Sequence, residues 1–167
     1  RAVRRSAIIE EGKRRSDMNI TDRKFGIEIE FVGATRDAVN QLVNSKGVRC
    51  RVEGYNHTTK THWKIVTDAS VSGGGEIVSP ILQGRSGLEE LCKVCEALQE
   101  AGARVNVQCG LHVHLDARDL TVKEIGTIYD RYAKYEEQID LCLPRSRRNS
   151  RWCESTKRHA TNVKQAT

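Results

Sequence analysis

"FGIEIEF" (residues 25–31) decides how the chain is read, because apolar and acidic residues alternate in it with a period of two. Successive side chains point to opposite faces of a strand, so Glu28 and Glu30 share one face while Ile27, Ile29 and Phe31 share the other. Two carboxylates about 6–7 Å apart on one face repel each other unless water or a cation stands between them. Taken alone, the pair also fits the solvent face of a half-covered sheet. Its meaning has to come from the rest of the chain.

"LHVHLD" (111–116) has the same construction with different atoms. His112 and His114 share a face, and Leu111, Val113 and Leu115 form an apolar row expected to pack behind. Glu76 sits in "GGGEIVSPI" (73–81), a short strand entered through glycines and closed by Pro80. If the three strands share a sheet, their polar residues line one surface. Carboxylates with one or two imidazoles suit Mg²⁺ or Mn²⁺, the hard cations that accompany nucleotide phosphates. A cation among them would resolve the repulsion in the opening stretch.

The surrounding segments predict an α+β fold with a largely antiparallel sheet and helices on one face. "TRDAVNQLVNSKG" (35–47) reads as a helix capped by Thr35 and stopped by Gly47. "VRCRVE" (48–53) and "HWKIVTD" (62–68) read as a hairpin around the polar "GYNHTTKT". Capping boxes predict two further helices. Ser86 with Glu89 opens one whose inward face is Leu88, Leu91, Cys95 and Leu98, ended by Gly102; the Cys92–Cys95 pair in it reads as core packing. Thr121 with Glu124 opens the other, with Val122, Ile125, Tyr129, Tyr132 and Ile139 inward and Pro144 beyond its end. "RVNVQ" (104–108) reads as one more strand.

A chain of 167 residues suits one domain with a real core. The net charge of +6 is concentrated in residues 1–22, read as a basic arm, and in "PRSRRNSR" (144–151). That distribution suggests an anionic partner, so a nucleic-acid-binding module is the rival reading. Only Trp152 stands beside the second cluster for stacking, which weighs against it. No stretch approaches the roughly 18 apolar residues of a membrane span. No signal-peptide core is visible, so a cytoplasmic location with six reduced cysteines is expected. Cys109 beside His112 and His114 offers a softer Zn²⁺ alternative.

The order of these motifs resembles the amidoligase family, relatives of glutamine synthetase and γ-glutamylcysteine ligase. The matching stretches are "FGIEIEF", "HWKIVTDASV" (62–71), "GGGEIVSPIL", "GLEELCKVCEALQEAGARVN" (87–106), "CGLHVHLDARDLT" (109–121) and "PRSRRNSRWC" (144–153). The resemblance implies an amidoligase-like domain over 23–153, a polar tail over 154–167, and a glutamine synthetase-like fold with a curved antiparallel sheet. It implies ATP and Mg²⁺ or Mn²⁺ as cofactors, and an acyl phosphate route joining a carboxylate to an amine on a small-molecule or peptide substrate. Glu28, Glu30, Glu76 and His112 match the family's metal ligands; His114, with Glu30, matches residues near the nucleotide. Asp68 is a substrate-site candidate, in an Asp-Ala-Ser run where the family reads Asp-Gly-Ser. Arg145, Arg147 and Arg148 match a basic element that meets phosphate or an acidic substrate. The family continues past this element with further strands, so a C-terminally truncated domain is expected. Its missing part would lie beyond this stretch of sequence or come from a protein partner or a second copy, or the chain would be a non-catalytic protein keeping the ligase fold.

Overall fold

The structure is a computed structural model describing residues 22–67, 72–148 and 154–158. Residues 1–21 of the basic arm, Asp68 and Trp152 lie outside the described residues. The chain divides into two compact units between Leu115 and Asp116.

In the first unit, β1 (Lys24–Val32) is the axis of a six-stranded sheet. Along one edge it pairs antiparallel with β4 (Gly74–Val78) and then with β5 (Leu82–Gln83); along the other it pairs antiparallel with β6 (Leu111–Leu115). The change from β4 to β5 is bridged by Ser79. Its N–H donates to the Ile27 carbonyl and its hydroxyl accepts from the Ile27 N–H at 2.8 Å, so the ladder continues up to Pro80, which has no N–H to give. Beyond β4 lie β3 (Trp63–Val66), antiparallel to it, and β2 (Cys50–Val52).

The β2–β3 pair corrects the hairpin expected there: Cys50, Arg51 and Val52 face Trp63, Lys64 and Ile65 in parallel register. A hairpin reverses the chain, whereas here residues 53–62 swing out and back so that β3 restarts beside the beginning of β2. Polar side chains hold this return. Arg49 donates to Thr61, Glu53 accepts from Asn56, and Lys64 reaches the loop's carbonyls.

Helices α1 (Arg36–Ser45) and α2 (Gly84–Glu100) cover one face of the sheet. Thr35 caps α1 as expected, its hydroxyl accepting from the Ala38 N–H. In α2 the expected capping box is absent. The helix starts at Gly84, and Ser86 donates within the first turn to the Gln83 carbonyl. The buried stripe is Gly84, Gly87, Val94, Ala97 and Leu98, so Cys92 and Cys95 point outward and do not fill the core. Leu88 gives way because Gly87 packs directly against Leu82, where a Cβ would stand 2.9 Å from the Leu82 Cβ. Trp63, wholly buried, donates its indole N–H to Glu90 and so ties β3 to α2.

"RVNVQ" makes only a single bridge, Val32 to Arg104, and Val105 and Val107 are exposed. The apolar row of β6 is exposed as well, because the core under α1 and α2 ends at β1. In the second unit, α3 (Val122–Asp140) starts with the expected capping box between Thr121 and Glu124. Its buried positions are Ala133 and Glu136, whereas Val122, Ile125, Tyr132 and Ile139 are exposed. The Glu136 carboxylate accepts from the Ser155 hydroxyl and from the N–H and hydroxyl of Thr156, which lowers its pKa and fastens residues 155–156 to the helix. No helix among the described residues is long and apolar enough to cross a membrane.

Two glycines make opposite predictions. A Cβ on Gly74 would collide with the Phe31 carbonyl oxygen, whereas one on Gly126 in α3 would meet nothing within 4 Å. Urea unfolding of Gly74→Ala is expected to show a loss well beyond the ~1 kcal/mol of an average substitution. Gly126→Ala is expected to raise stability by about 0.5–1 kcal/mol.

Candidate metal centre

The register of β1 assembles the site. Glu28 stands opposite His112 on one side and Val78 on the other; Glu30 stands opposite Glu76. Directly paired residues share a face, so Glu28, Glu30, Glu76, His112 and His114 all lie on the face away from α1 and α2. One ligand atom each from Glu28, Glu76 and His112 lies within 4.8 Å of the others, a spacing a single divalent cation can bridge.

Glu28 is the junction. Its Oε2 is 2.8 Å from His112 Nδ1 and its Oε1 is 3.3 Å from His114 Nε2. Partial burial pushes the Glu28 pKa up, but the hydrogen bond with His112 and the charges of both imidazoles outweigh it and hold the carboxyl below its ordinary value of 4.5. His112 moves the opposite way, above 6.5. The Glu28 hydrogen bond is the largest cause, burial opposes it, and the charges of Glu28, Glu30 and Glu76 add to it.

Glu30 is nearly buried and outside that three-residue group. Its Oε2 accepts the Gly110 N–H at 2.7 Å, and the backbones of Glu30 and Gly110 bond as well. A Cβ on Gly110 would lie 3.3 Å from His112 Nε2 and 3.4 Å from Glu30 Oε1, so the bare glycine keeps open the space those two atoms face. Cys109 is buried with its thiol donating to Asn106 Oδ1, and does not belong to the group.

Sequence reasoning passed over Lys64. It lies in the cross-strand row Lys64–Val78–Glu28–His112 on the same face and is 4 % exposed. Its Nζ donates to the Asn56 carbonyl and Oδ1 and to the Thr58 carbonyl, so residues 56–58 roof this end of the face. The only sequence signal was a lysine between the apolar Trp63 and Ile65.

The predicted basic element belongs to the second unit. Arg148 donates to the Leu143 and Leu141 carbonyls just past the end of α3, satisfying groups the helix leaves open. Arg145 and Arg147 form a 3₁₀ turn in which Arg145 is exposed and Arg147 half-buried.

Fold and site define an α+β domain whose sheet face opposite α1 and α2 carries an acid–imidazole cluster of divalent-cation type. The chain belongs to the amidoligase family: the family model described as "Putative amidoligase enzyme" matches residues 21–166. Membership supports a ligase function in general. No curated protein and no solved structure matches the chain.

The Glu28–His112 pair has a sign that can be measured. The raised His112 pKa contributes stability that is complete below 6.5 and lost as pH rises through the folded value. The lowered Glu28 pKa contributes stability that is complete above 4.5 and lost as pH falls through its folded value. Their joint contribution is therefore greatest between those limits. An NMR titration of metal-free protein is expected to place the His112 midpoint above 6.5, and Glu28→Gln is expected to lower it. A midpoint unmoved by Glu28→Gln would show that the bond is not made.

Proposed function

We propose that this domain is an ATP-dependent carboxylate–amine ligase with a glutamine synthetase-like arrangement, binding Mg·ATP on the face of its sheet opposite α1 and α2. The observation that carries the reading is the convergence of Glu28, Glu76 and His112 from three strands onto ligand atoms within 4.8 Å. In the reaction class, the ATP γ-phosphoryl group passes to a substrate carboxylate, and an amine then displaces phosphate from the acyl phosphate to give the amide.

The donor set of two carboxylates and one imidazole fits Mg²⁺ or Mn²⁺. Held there, the cation would neutralise phosphate charge as the phosphoryl group moves. The chain's own residues have separable tasks. Glu28 and Glu76 supply the negative charge that attracts the cation. The Glu28 hydrogen bond to Nδ1 holds the His112 ring in place. Glu30, anchored by the Gly110 N–H, holds a further carboxylate oxygen beside it. His114 is the candidate for contact with the nucleotide phosphates, and Asp68 is a candidate for the substrate site.

Calorimetric titration with Mn²⁺, and then with ATP in its presence, tests this. Glu28→Gln and Glu76→Gln are each expected to weaken Mn²⁺ binding at least tenfold. Because a proton on His112 competes with the cation, wild-type Mn²⁺ affinity is expected to rise about tenfold per pH unit up to the raised His112 pKa and then level off. Affinity that is flat with pH and indifferent to both variants would refute the centre. Metal binding without ATP binding would leave a non-catalytic member of the family.

A further inference from the structure

The ten-residue return between β2 and β3 has no strand or helix of its own, yet it is fastened at several points. Arg49 Nη2 donates to both the carbonyl and the hydroxyl of Thr61. Glu53 Oε1 is 2.7 Å from His62 Nε2, and its Oε2 accepts from Asn56 Nδ2. Asn56 Oδ1 in turn accepts from the Thr58 N–H and from Lys64, whose Nζ also holds the carbonyls of Asn56 and Thr58. Long loops without regular structure are usually either mobile or functional, and one organised this heavily belongs to the second kind.

What the network holds outward is an aromatic pair. Tyr55 is 64 % exposed, and His57 is exposed. Their rings meet edge to face with centroids 4.9 Å apart, and the tyrosine hydroxyl is 2.8 Å from His57 Nε2. An exposed ring on a loop fastened by these hydrogen bonds offers a stacking surface.

Position links the pair to the metal centre. The Lys64 side chain is on the same sheet face as Glu28, two strands away across Val78, a separation of about 10 Å. The loop carbonyls that Lys64 holds therefore stand over the same face as the cluster, at the opposite end of the row. A triphosphate held by a cation at Glu28, Glu76 and His112 and extended along that row carries its nucleoside toward the loop. We infer that the 53–62 loop is the nucleobase wall of this face, with Tyr55 as the stacking residue, His57 fixing its hydroxyl, and Lys64 anchoring the loop. This inference rests on the Mg·ATP reading above.

The experiment compares Mn·ATP with Mn·tripolyphosphate, which has the phosphates without the base, in wild type and Tyr55→Ala, after titration with Mn²⁺ alone. Wild type is expected to bind ATP more tightly than tripolyphosphate. Tyr55→Ala is expected to weaken ATP by roughly fivefold or more and to leave Mn²⁺ and tripolyphosphate within twofold. Tyr55→Phe, which keeps the ring, is expected to retain most of the ATP affinity. Equal binding of ATP and tripolyphosphate by wild type, or an ATP affinity indifferent to Tyr55→Ala, overturns the nucleobase wall while the metal centre stands. Loss of all Mn²⁺-dependent binding in wild type overturns both.

Discussion

The acid–imidazole cluster on the sheet face opposite α1 and α2 depends on one carboxylate. Glu28 touches an imidazole with each oxygen, which an acid at the middle of a central strand can do only if the neighbouring strand brings two histidines to its face. β6 does so because it pairs antiparallel with β1 in a register that sets His112 beside Glu28 and His114 beside Gly26. A slip of one residue would turn both histidines to the other face and leave Glu28 against Leu111 or Val113. The arrangement is therefore a constraint on register as much as a feature of the site. The apolar residues of β1 select the face, and the acid–imidazole contacts select the pairing.

The same logic explains how three acids coexist on neighbouring strands. Glu30 and Glu76 are direct cross-strand partners, which is unfavourable for like charges unless each is compensated. Glu30 is compensated from the protein itself by the Gly110 N–H, so it can be nearly buried. Glu28 is compensated by the two histidines. Glu76 shares its space with Glu28 and His112, and this is the group whose geometry suits a cation. The compensation also shapes the protonation behaviour: charge from all three acids adds to the Glu28 bond in lifting the His112 pKa. A metal would have to displace that proton, so the acids both attract the cation and make the histidine hold its proton longer.

Much of this was legible in the sequence because strand periodicity is a strong signal where one face is polar. The E-x-E and H-x-H patterns placed Glu28, Glu30, His112 and His114 on strands and on shared faces, and the glycine-led "GGGEIV" placed Glu76. What could not be read was set by packing between distant segments. The stripe on α2 is turned from the expected one because Gly87 packs on Leu82, and a leucine periodicity carries no record of which residue the sheet will meet. The direction of β3 relative to β2 depends on the path of residues 53–62, whose polar composition looks the same for a hairpin loop and for a return. The missing capping box at Ser86 has a local cause: the backbone at Gly84 adopts φ +56° and the helix begins there, which places Ser86 inside the first turn.

Lys64 shows why a residue can matter and leave almost no trace in the sequence. A lysine buried to 4 % exposure is costly unless each of its three donors finds an acceptor, and here all three acceptors come from one short stretch of backbone and side chain. Neither half stands without the other. Without the loop the ammonium would sit unpaired near the cluster, and without the ammonium the carbonyls of Asn56 and Thr58 would lose the donor they share. The parallel pairing of β2 with β3 is what closes this circuit, since it starts β3 at the end of a return that has just passed over the face Lys64 points from. The departure from the simpler hairpin thus gives the sheet a roof at one end of its polar row, opposite the end that carries the acid–imidazole cluster.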